Sequence, residues 1–186
     1  MGAEQAWRGM MSIDAIVQFL ERHQEWSFWV ALVFASAETL AFLSLLVPST
    51  AILVAVGATV STGALSMFPI WAGAALGAVI GSTVSWWLGE RYGARILASW
   101  PMNREPQLVE RATNAFRRWG LPAVFIGHFF GPLRSVVFLF AGMTGVGFWR
   151  FQLVNLPGCL LWAYLVPKSG EIGGDIIGWL WKLFGF

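Results

Sequence analysis

One carboxylate and one guanidinium stand alone inside long apolar stretches of the sequence. Glu38 is the only ionisable residue within 27–61, and Arg134 is the only formal charge within 119–149. Burying a charged side chain in a bilayer costs roughly 2.5–3.5 kcal/mol on insertion scales, so such residues usually mark a site. Arginine presents a planar fork of donors that suits phosphate, and a desolvated glutamate can carry a proton.

A proline interrupts each of these apolar stretches close to its centre. Pro48 lies in the sequence LSLLVPST, and Gly131 and Pro132 lie in HFFGPLR. A break in a helix frees backbone N–H and C=O groups, which a membrane tolerates only where protein or a water-filled cavity surrounds them. Two broken segments in corresponding halves of a chain are typical of a transport site near the bilayer midplane.

The composition is that of an integral membrane protein. Hydrophobic residues make up 57% of the 186 residues and charged residues 12%, with a mean hydropathy of +0.65, whereas a soluble domain carries about 25% charged residues. We predict one all-α polytopic membrane domain over 1–186. Cys159, the single cysteine, excludes an internal disulfide and is interpreted as a packing residue. The net charge of +2 gives no signal for nucleic-acid binding.

Five apolar blocks divide the chain. Block 27–61 is too long for one membrane span, at about 52 Å as a helix against a hydrocarbon core of about 30 Å, and too short for two. We therefore predict a re-entrant helical hairpin in 27–61 and a second one in 119–146. The three ordinary transmembrane helices are predicted at 64–89, 147–167 and 172–186.

The two hairpin segments resemble each other weakly around their prolines. Thr50 follows Pro48 as Arg134 follows Pro132, and a glycine comes later in each segment. The residues predicted to act as structural hinges are Pro48, Gly57, Gly131, Pro132 and Gly142. In the span between the hairpins, Gly73, Gly77 and Gly81 share one helix face and predict a close-packing seam. We favour packing inside the chain for this seam, with a homodimer seam as the alternative.

The polar segments orient the chain. Segment 90–118 holds six of the twelve lysines and arginines, which places it in the cytoplasm by the positive-inside rule. Its second half predicts a surface helix lying against anionic headgroups. The hairpin in 119–146 then enters from the cytoplasm and the other from the opposite face, so that their tips meet near the midplane. Residues 1–26 predict an amphipathic helix, either on the membrane surface or packed as a cap on the bundle.

An ordered set of small, aromatic and polar residues runs through the apolar blocks. Its members are Glu38, Pro48, Ser49, Thr50, Gly57, Gly77, Gly81, Gly89, Gly93, Phe129, Pro132, Arg134, Ala141, Gly142, Phe148, Phe151, Asn155 and Trp162. The set resembles the motifs of the DedA family, also called the SNARE-associated or VTT family. The resemblance covers most of the chain, residues 27–165. It implies two inward-pointing re-entrant hairpins in an inner-membrane protein and lipid transport, with bacterial members similar to flippases for undecaprenyl phosphate or phosphatidylethanolamine. It also implies dependence on the proton-motive force in some members.

Three positions depart from the family pattern. Thr50 stands where the family commonly has an acid, Ser82 where it often has an aspartate, and His128 where it often has an arginine. These changes weaken the expectation of proton coupling through a chain of acids. They leave phosphate binding in place.

Six residues are predicted to bind the substrate. Arg134 anchors a phosphate with help from the start of the helix that follows it, while Ser49 and Thr50 donate from the other hairpin. Glu38 is its counter-ion, released when it takes up a proton. The alternative is a structural ion pair that only fixes the hairpins, although such a pair is weak evidence for stability.

The roles of the remaining two predicted residues stay open. His128 pairs with the phosphate when protonated, which makes affinity depend on pH near about 6–7, or it is a packing histidine. Asn155 either bonds between helices or contacts the substrate.

We predict an inner-membrane, multi-pass lipid flippase that binds a phosphate headgroup. Undecaprenyl phosphate is the first candidate and a phospholipid such as phosphatidylethanolamine the second. The alternatives are a proton-coupled transporter of a small solute or ion and a non-transporting scaffold for membrane integrity. No cofactor, metal site or enzymatic activity is predicted, since the sequence holds no HExxH, nucleophile elbow, Cys/His metal set or P-loop.

Overall fold

A computed structural model describes residues 13–40, 49–98, 104, 106–130 and 133–184 of the chain. Within these ranges the protein is all-helical, as predicted, and contains no strand. A short 3-10 helix, Gln24–Trp26, joins the first two α-helices. The α-helices are α1 (Ile13–Arg22), α2 (Ser27–Thr39), α3 (Ser49–Ser61), α4 (Met67–Leu97), α5 (Pro106–Trp119), α6 (Pro122–Gly127), α7 (Leu133–Met143) and α8 (Phe148–Phe184).

Both apolar blocks with a central proline form pairs of short helices. In the first block, α2 and α3 have 13 residues each, so each is about 20 Å long and shorter than a hydrocarbon core of about 30 Å. In the second block, α6 has 6 residues and α7 has 11. The predicted hinge residues Pro48, Gly131 and Pro132 lie outside the described residues.

The helix α4 is the long apolar element of the described structure. Its part from Met67 to Gly93 is the one helix in the described ranges that is long and apolar enough to cross a membrane. Thr50–Ser61 and Arg134–Met143 are shorter apolar helices. The helix α4 reaches Leu97, so the first turns of the predicted polar segment continue this helix.

The last two predicted spans form one helix instead of two. The 37-residue helix α8 runs without interruption through the predicted break at 168–171 and includes Pro157 and Pro167. Two local features favour helix at the expected break. Lys168 pairs with Glu171 one turn away, with 2.8 Å between Nζ and Oε1, and such i,i+3 pairs support helices. Gly170 lies where α8 meets α3, because a side chain there would collide with the carbonyl of Val54.

Two helix crossings are built in the same way. Where α3 crosses α8, a Cβ atom on Gly57 would collide with the carbonyl of Pro167, as one on Gly170 would with Val54. Where α7 crosses α4, a Cβ on Gly142 would collide with the carbonyl of Trp86, and one on Gly89 with that of Leu139. The contacts within each crossing are reciprocal. In all four cases, the residue whose carbonyl faces the glycine of the partner helix lies three positions before the glycine of its own helix. The match in register identifies α3 with α7 and α8 with α4 as an internal repeat.

The predicted hinges Gly57 and Gly142 therefore act as contact points within helices. Both residues lie inside regular helix, in α3 and α7. Small residues allow helix backbones to approach closely inside a membrane. Glycine is needed at these two positions because the helix backbones approach closely there. The structure shows no hinge at either residue.

The predicted glycine seam of α4 faces another helix of the same chain. Side chains added at Gly73, Gly77 and Gly81 would collide with backbone carbonyls of α2, those of Phe28, Leu32 and Ser36. The hydroxyl of Ser36 also donates to the carbonyl of Gly77 at 3.1 Å. The seam is internal packing, and it is covered by α2 rather than exposed to a second copy of the chain.

A layer of buried polar residues lies between two hydrophobic clusters. One cluster joins α2, α3 and the first half of α4 with the middle of α8. The other joins α6 and α7 with Trp86 of α4 and Phe151 of α8. The buried polar side chains between them include Glu38, Thr39, Ser82, Ser85, His128, Arg134, Ser135, Gln152 and Asn155.

The two amphipathic helices lie at the periphery of this bundle. Leu20 of α1 is fully buried, and Ile16 and Val17 pack against the first cluster. This contact agrees with the cap interpretation of the N-terminal helix. In α5, Val109 and Phe116 pack against the second cluster, while the arginines of its opposite face are exposed.

Candidate functional site

The two isolated charges of the sequence form a buried ion pair. Nη2 of Arg134 lies 2.6 Å from Oε1 of Glu38. Arg134 has no exposed surface and Glu38 is 5% exposed. Glu38 belongs to the last turn of α2 and Arg134 to the first turn of α7. The ion pair therefore lies at the end of α2 and the start of α7, beside the breaks in the two apolar blocks. It is buried away from the surface.

Thr50 completes the polar arrangement around the carboxylate. Its hydroxyl donates a hydrogen bond to Oε1 of Glu38, the same oxygen that faces Arg134. Thr50 lies in the first turn of α3 and Arg134 in the first turn of α7. Each residue lies two positions after the proline of its apolar block, Pro48 or Pro132, so Glu38 is contacted from both broken segments at once. The side chain of Ser49 lies outside the described residues.

The guanidinium of Arg134 has unused donors. Among the described residues, none of its three nitrogens has a hydrogen bond of normal geometry, although all three are buried. Nη2 meets the carboxylate only as an ion pair. Leaving a buried donor unpaired costs roughly 1–3 kcal/mol, and more for a charged group. Nε and Nη1 are therefore strong candidates to bind an anionic ligand.

Trp162 covers one face of the same guanidinium. Cζ of Arg134 lies 4.3 Å from the ring centroid, within the range of a cation–π contact. Trp162 is 3% exposed and therefore belongs to the site. One face of the guanidinium is thus stacked on Trp162, and Nη2 meets Glu38.

His128 lies in the buried layer with both ring nitrogens engaged. Nδ1 is 2.9 Å from the carbonyl of Val124, so this nitrogen carries the proton that is donated. Nε2 is 3.2 Å from Sγ of Cys159. This geometry agrees with the packing interpretation of His128. A direct bond from His128 to a phosphate would require the contact with Cys159 to open.

Asn155 links two helices through hydrogen bonds. Its Nδ2 donates to Oγ of Ser82 at 2.9 Å and to Oε1 of Gln152 at 3.0 Å. Its Oδ1 lies 3.6 Å from Sγ of Cys159, which donates to it. Gln152 in turn donates to the hydroxyl of Thr83 at 2.6 Å. This role agrees with the interhelical alternative and stabilises the contact between α4 and α8.

Sequence reasoning missed Gln152 and the membership of Cys159 and Trp162 in this layer. The signal for them was present, because Gln152, Asn155, Cys159 and Trp162 recur at the three- and four-residue spacing of one helix face. We read Cys159 alone as a packing residue, and it is indeed fully buried. Its neighbours on the face show that the packing is polar.

Arg134 can compensate one negative charge in an apolar surrounding, either that of Glu38 or that of an anion that replaces it. In the described part of the chain, no group of three or more His, Cys, Asp or Glu residues could hold a metal ion. The described contacts around the pair of Glu38 and Arg134 are an ion pair, a hydrogen bond from Thr50 and a cation–π contact with Trp162.

Comparison with known proteins gives the class and then the family. The sequence is similar to membrane proteins, among them inner membrane protein YabI of Escherichia coli, with 29% identity over 86% of this chain and 63% of YabI. The uncharacterized membrane protein Rv2637 of Mycobacterium tuberculosis is 30% identical over 82% of this chain and 71% of that protein. Inner membrane protein YqjA of Escherichia coli is 28% identical over 68% of this chain and 58% of YqjA.

Residues 47–171 match the model of the VTT domain. The chain is a membrane protein and belongs to the VTT-domain, or DedA, family, which confirms the resemblance inferred from its motifs. It spans somewhat less than two thirds of the length of YabI. No solved structure matches the sequence. The matched region contains Thr50, His128, Arg134 and Asn155, while Glu38 precedes it.

Proposed function

We propose that the protein is a flippase that moves a phosphate-bearing lipid across the inner membrane. The observation that carries this proposal is the buried guanidinium of Arg134, whose Nε and Nη1 lack hydrogen bonds among the described residues. Buried, positively charged N–H donors of a guanidinium suit a phosphate. Membership in a family of membrane proteins is consistent with a transport role. Undecaprenyl phosphate is the first candidate substrate and a phospholipid such as phosphatidylethanolamine the second.

The proposed architecture places the two broken segments as re-entrant hairpins. The short lengths of α2, α3, α6 and α7 support hairpins that enter and leave on one face. The repeated crossing geometry supports opposite orientations for the two hairpins, as in transporters with inverted repeats. With the arginine-rich segment in the cytoplasm, Glu38 and Arg134 then lie near the midplane of a multi-pass protein.

The charge balance of the site suggests how loading takes place. Glu38 and Arg134 neutralise each other in the closed arrangement. An anionic headgroup that binds Nε and Nη1 adds a negative charge to a buried site, which is costly unless the carboxylate leaves or takes up a proton. We propose that protonation of Glu38 accompanies loading and that Thr50 keeps the neutral carboxyl in place.

A reconstituted flipping assay tests this function. Liposomes holding the protein and a fluorescent phosphate-bearing lipid report movement between leaflets through quenching by an impermeant reductant. We expect Arg134→Gln to abolish protein-dependent flipping. The double variant Glu38→Gln/Arg134→Gln removes both charges of the buried pair, so it should stay close to wild type in stability and be equally inactive in flipping. Arg150→Gln is the matched control, because Arg150 is exposed in the first turn of α8 and removes the same charge.

Three outcomes would contradict the proposal. Equal flipping by wild type and Arg134→Gln would remove Arg134 from the pathway. Proton-driven solute flux without lipid movement would instead support the coupled transporter, and wild-type protein inactive in both assays would support the scaffold.

The role of Glu38 is tested separately. Glu38→Asp retains a group that can exchange a proton, whereas Glu38→Gln does not. We expect flipping to persist in the first variant and to lose its dependence on a pH gradient in the second. The same response in both variants would exclude a proton-exchanging role for Glu38.

A further inference from the structure

A cavity at the other end of α7 contains a second cationic cluster. It has a volume of about 430 Å³ and lies between the last turns of α4 and Met143, the last residue of α7. Its lining includes Glu90, Arg91, Tyr92, Gly93, Arg95 and Met143. The volume falls in the range of small-molecule sites, about 300–1,000 Å³. Both arginine side chains and Tyr92 are exposed, so the cavity opens at the surface of the bundle.

The cavity lies at a distance from Arg134 that matches half of a membrane. Arg134 and Met143 mark the two ends of the same helix, which spans about 14 Å between them at 1.5 Å per residue. The hydrocarbon core is about 30 Å thick. If Arg134 is near the midplane, as the proposed function requires, the cavity is at the membrane–water interface. The ring pair of Trp87 and Tyr92, 6.3 Å apart, fits that depth, because such rings concentrate at the interface.

The internal repeat shows that the cationic cluster belongs to one end only. If Gly89 and Gly170 are taken as equivalent positions, Glu90 corresponds to Glu171, so both helices have a glutamate at this position. Arg91 and Arg95 correspond to Ile172 and Ile176, which are exposed isoleucines. The packing at the two ends is alike, so the arginines are an addition to the scaffold.

The side chain of Met143 packs directly on Gly93 in the lining of the cavity. A Cβ atom on Gly93 would collide with the side chain of Met143. Met143 therefore contacts the floor of the cavity. A larger side chain in place of Met143 would fill the cavity without changing its charge.

We propose that this cavity is a capture site for the phosphate headgroup of a membrane lipid before it reaches Arg134. Arg91 and Arg95 bring two guanidinium groups to the lining of the cavity beside the carboxylate of Glu90, and the Tyr92 hydroxyl supplies a further donor. The acyl or isoprenoid chains stay in the surrounding bilayer. This inference rests on the proposed function, because it assigns the entry point of the same substrate and makes one membrane face the loading side.

Binding to the full-length protein in phosphatidylcholine nanodiscs tests the capture site. The probe is phosphatidic acid, which carries a phosphomonoester, and the readout is the change in tryptophan fluorescence on titration. We expect the Arg91→Gln/Arg95→Gln variant to bind about 30-fold more weakly. Arg111→Gln/Arg117→Gln is the matched control, because both side chains are exposed on α5 and carry the same charge. This control should weaken binding clearly less, because it removes only the general attraction of surface arginines to anionic lipid.

The outcomes separate a specific cavity from general attraction to anionic lipid. Equal weakening by both double variants would overturn the proposal, as would wild-type affinity in Arg91→Gln/Arg95→Gln. Met143→Trp should also weaken binding, because it fills the cavity while leaving its charge, and unchanged affinity there would contradict the assignment. If inorganic phosphate competes as well as phosphatidic acid, the ligand is the free ion, and the lipid assignment is overturned.

A last variant distinguishes this inference from the proposed function. Arg134→Gln should stop flipping but retain binding of phosphatidic acid at the cavity. If wild-type protein flips no lipid and yet binds phosphatidic acid through Arg91 and Arg95, the flippase proposal fails and the capture site remains. Loss of binding in Arg134→Gln would show instead that the probe binds only at the buried pair.

Discussion

The crossing of α3 with α8 and the crossing of α7 with α4 are alike in packing and different in charge. Each uses two glycines, and each glycine meets a backbone carbonyl in the same register. However, the residue two positions after the interrupting proline is Thr50 in the first apolar block and Arg134 in the second. The packing of the two crossings is alike, and the positive charge that we propose to bind an anion lies in one half.

The long helices repeat this contrast. By the same register, Asn155, Cys159 and Trp162 of α8 correspond to Ala74, Ala78 and Gly81 of α4. The residues of α4 make close apolar contacts, with Ala74 and Ala78 fully buried. Those of α8 build the polar layer beside Arg134. The packing framework is repeated, whereas at these three positions only α8 contributes to the layer around Arg134.

The largest loss of stability is expected from substitution of Arg134, the charged residue at the start of α7. Arg134→Met leaves the Glu38 carboxylate buried without its partner, which should cost about 3–5 kcal/mol of unfolding free energy. Equilibrium unfolding in mixed micelles measures this loss. The double variant Glu38→Gln/Arg134→Met should recover most of it, because replacing both partners of a buried pair is often close to neutral. A double variant as unstable as the single one would show that Arg134 acts mainly through contacts other than Glu38.

The symmetric part of the comparison is tested at the crossings. Gly57→Ala and Gly142→Ala should each destabilise the fold by about 1–3 kcal/mol, because each added Cβ meets backbone that cannot rotate away. The same unfolding measurement applies. Gly147→Ala is the control, since the space around Gly147 is open. Markedly unequal losses at Gly57 and Gly142 would break the equivalence of the two crossings.

Substitution of a polar residue of α8 should cost less stability than substitution of Arg134. Asn155→Leu leaves Ser82 and Gln152 without their shared partner and should cost about 1–3 kcal/mol. Leu156→Ala on the same helix is the control, because Leu156 is 43% exposed. If Asn155→Leu is neutral in stability yet slows lipid flipping, Asn155 contacts the substrate, which is the alternative that its hydrogen bonds do not favour.

The smallest effect is expected at Thr50, the uncharged counterpart of Arg134. Thr50→Ala removes one hydrogen bond to Glu38 and should lower the unfolding free energy by about 1 kcal/mol, whereas Thr50→Ser keeps the hydroxyl. Thermal unfolding of the two variants side by side measures the difference. A loss at Thr50→Ala as large as that at Arg134→Met would mean that both halves contribute equally to the site.

Much of this architecture follows from sequence patterns that have a direct physical cause. The apolar composition indicates a membrane protein, and the isolated positions of Glu38 and Arg134 mark the residues that the structure joins. The family follows from the ordered motifs around them. Short helices on both sides of the apolar breaks follow from the length of the blocks.

The remaining features depend on tertiary contacts that a linear pattern does not contain. Lys168 and Glu171 looked like a polar loop and are instead a pair within α8. Gly57 and Gly142 looked like hinges, although their task is close packing against Pro167 and Trp86. Which face of a helix meets which neighbour decides these cases, and the sequence alone leaves that choice open.

The most direct test of the central claim is an experimental structure with a phosphate-bearing lipid bound. We predict phosphate oxygens about 2.8 Å from guanidinium nitrogens of Arg134, with the Glu38 carboxylate moved away from Nη2 and Trp162 still stacked on the guanidinium. A structure in which the lipid is bound and transport-competent while the pair of Glu38 and Arg134 stays intact and without phosphate would contradict the account.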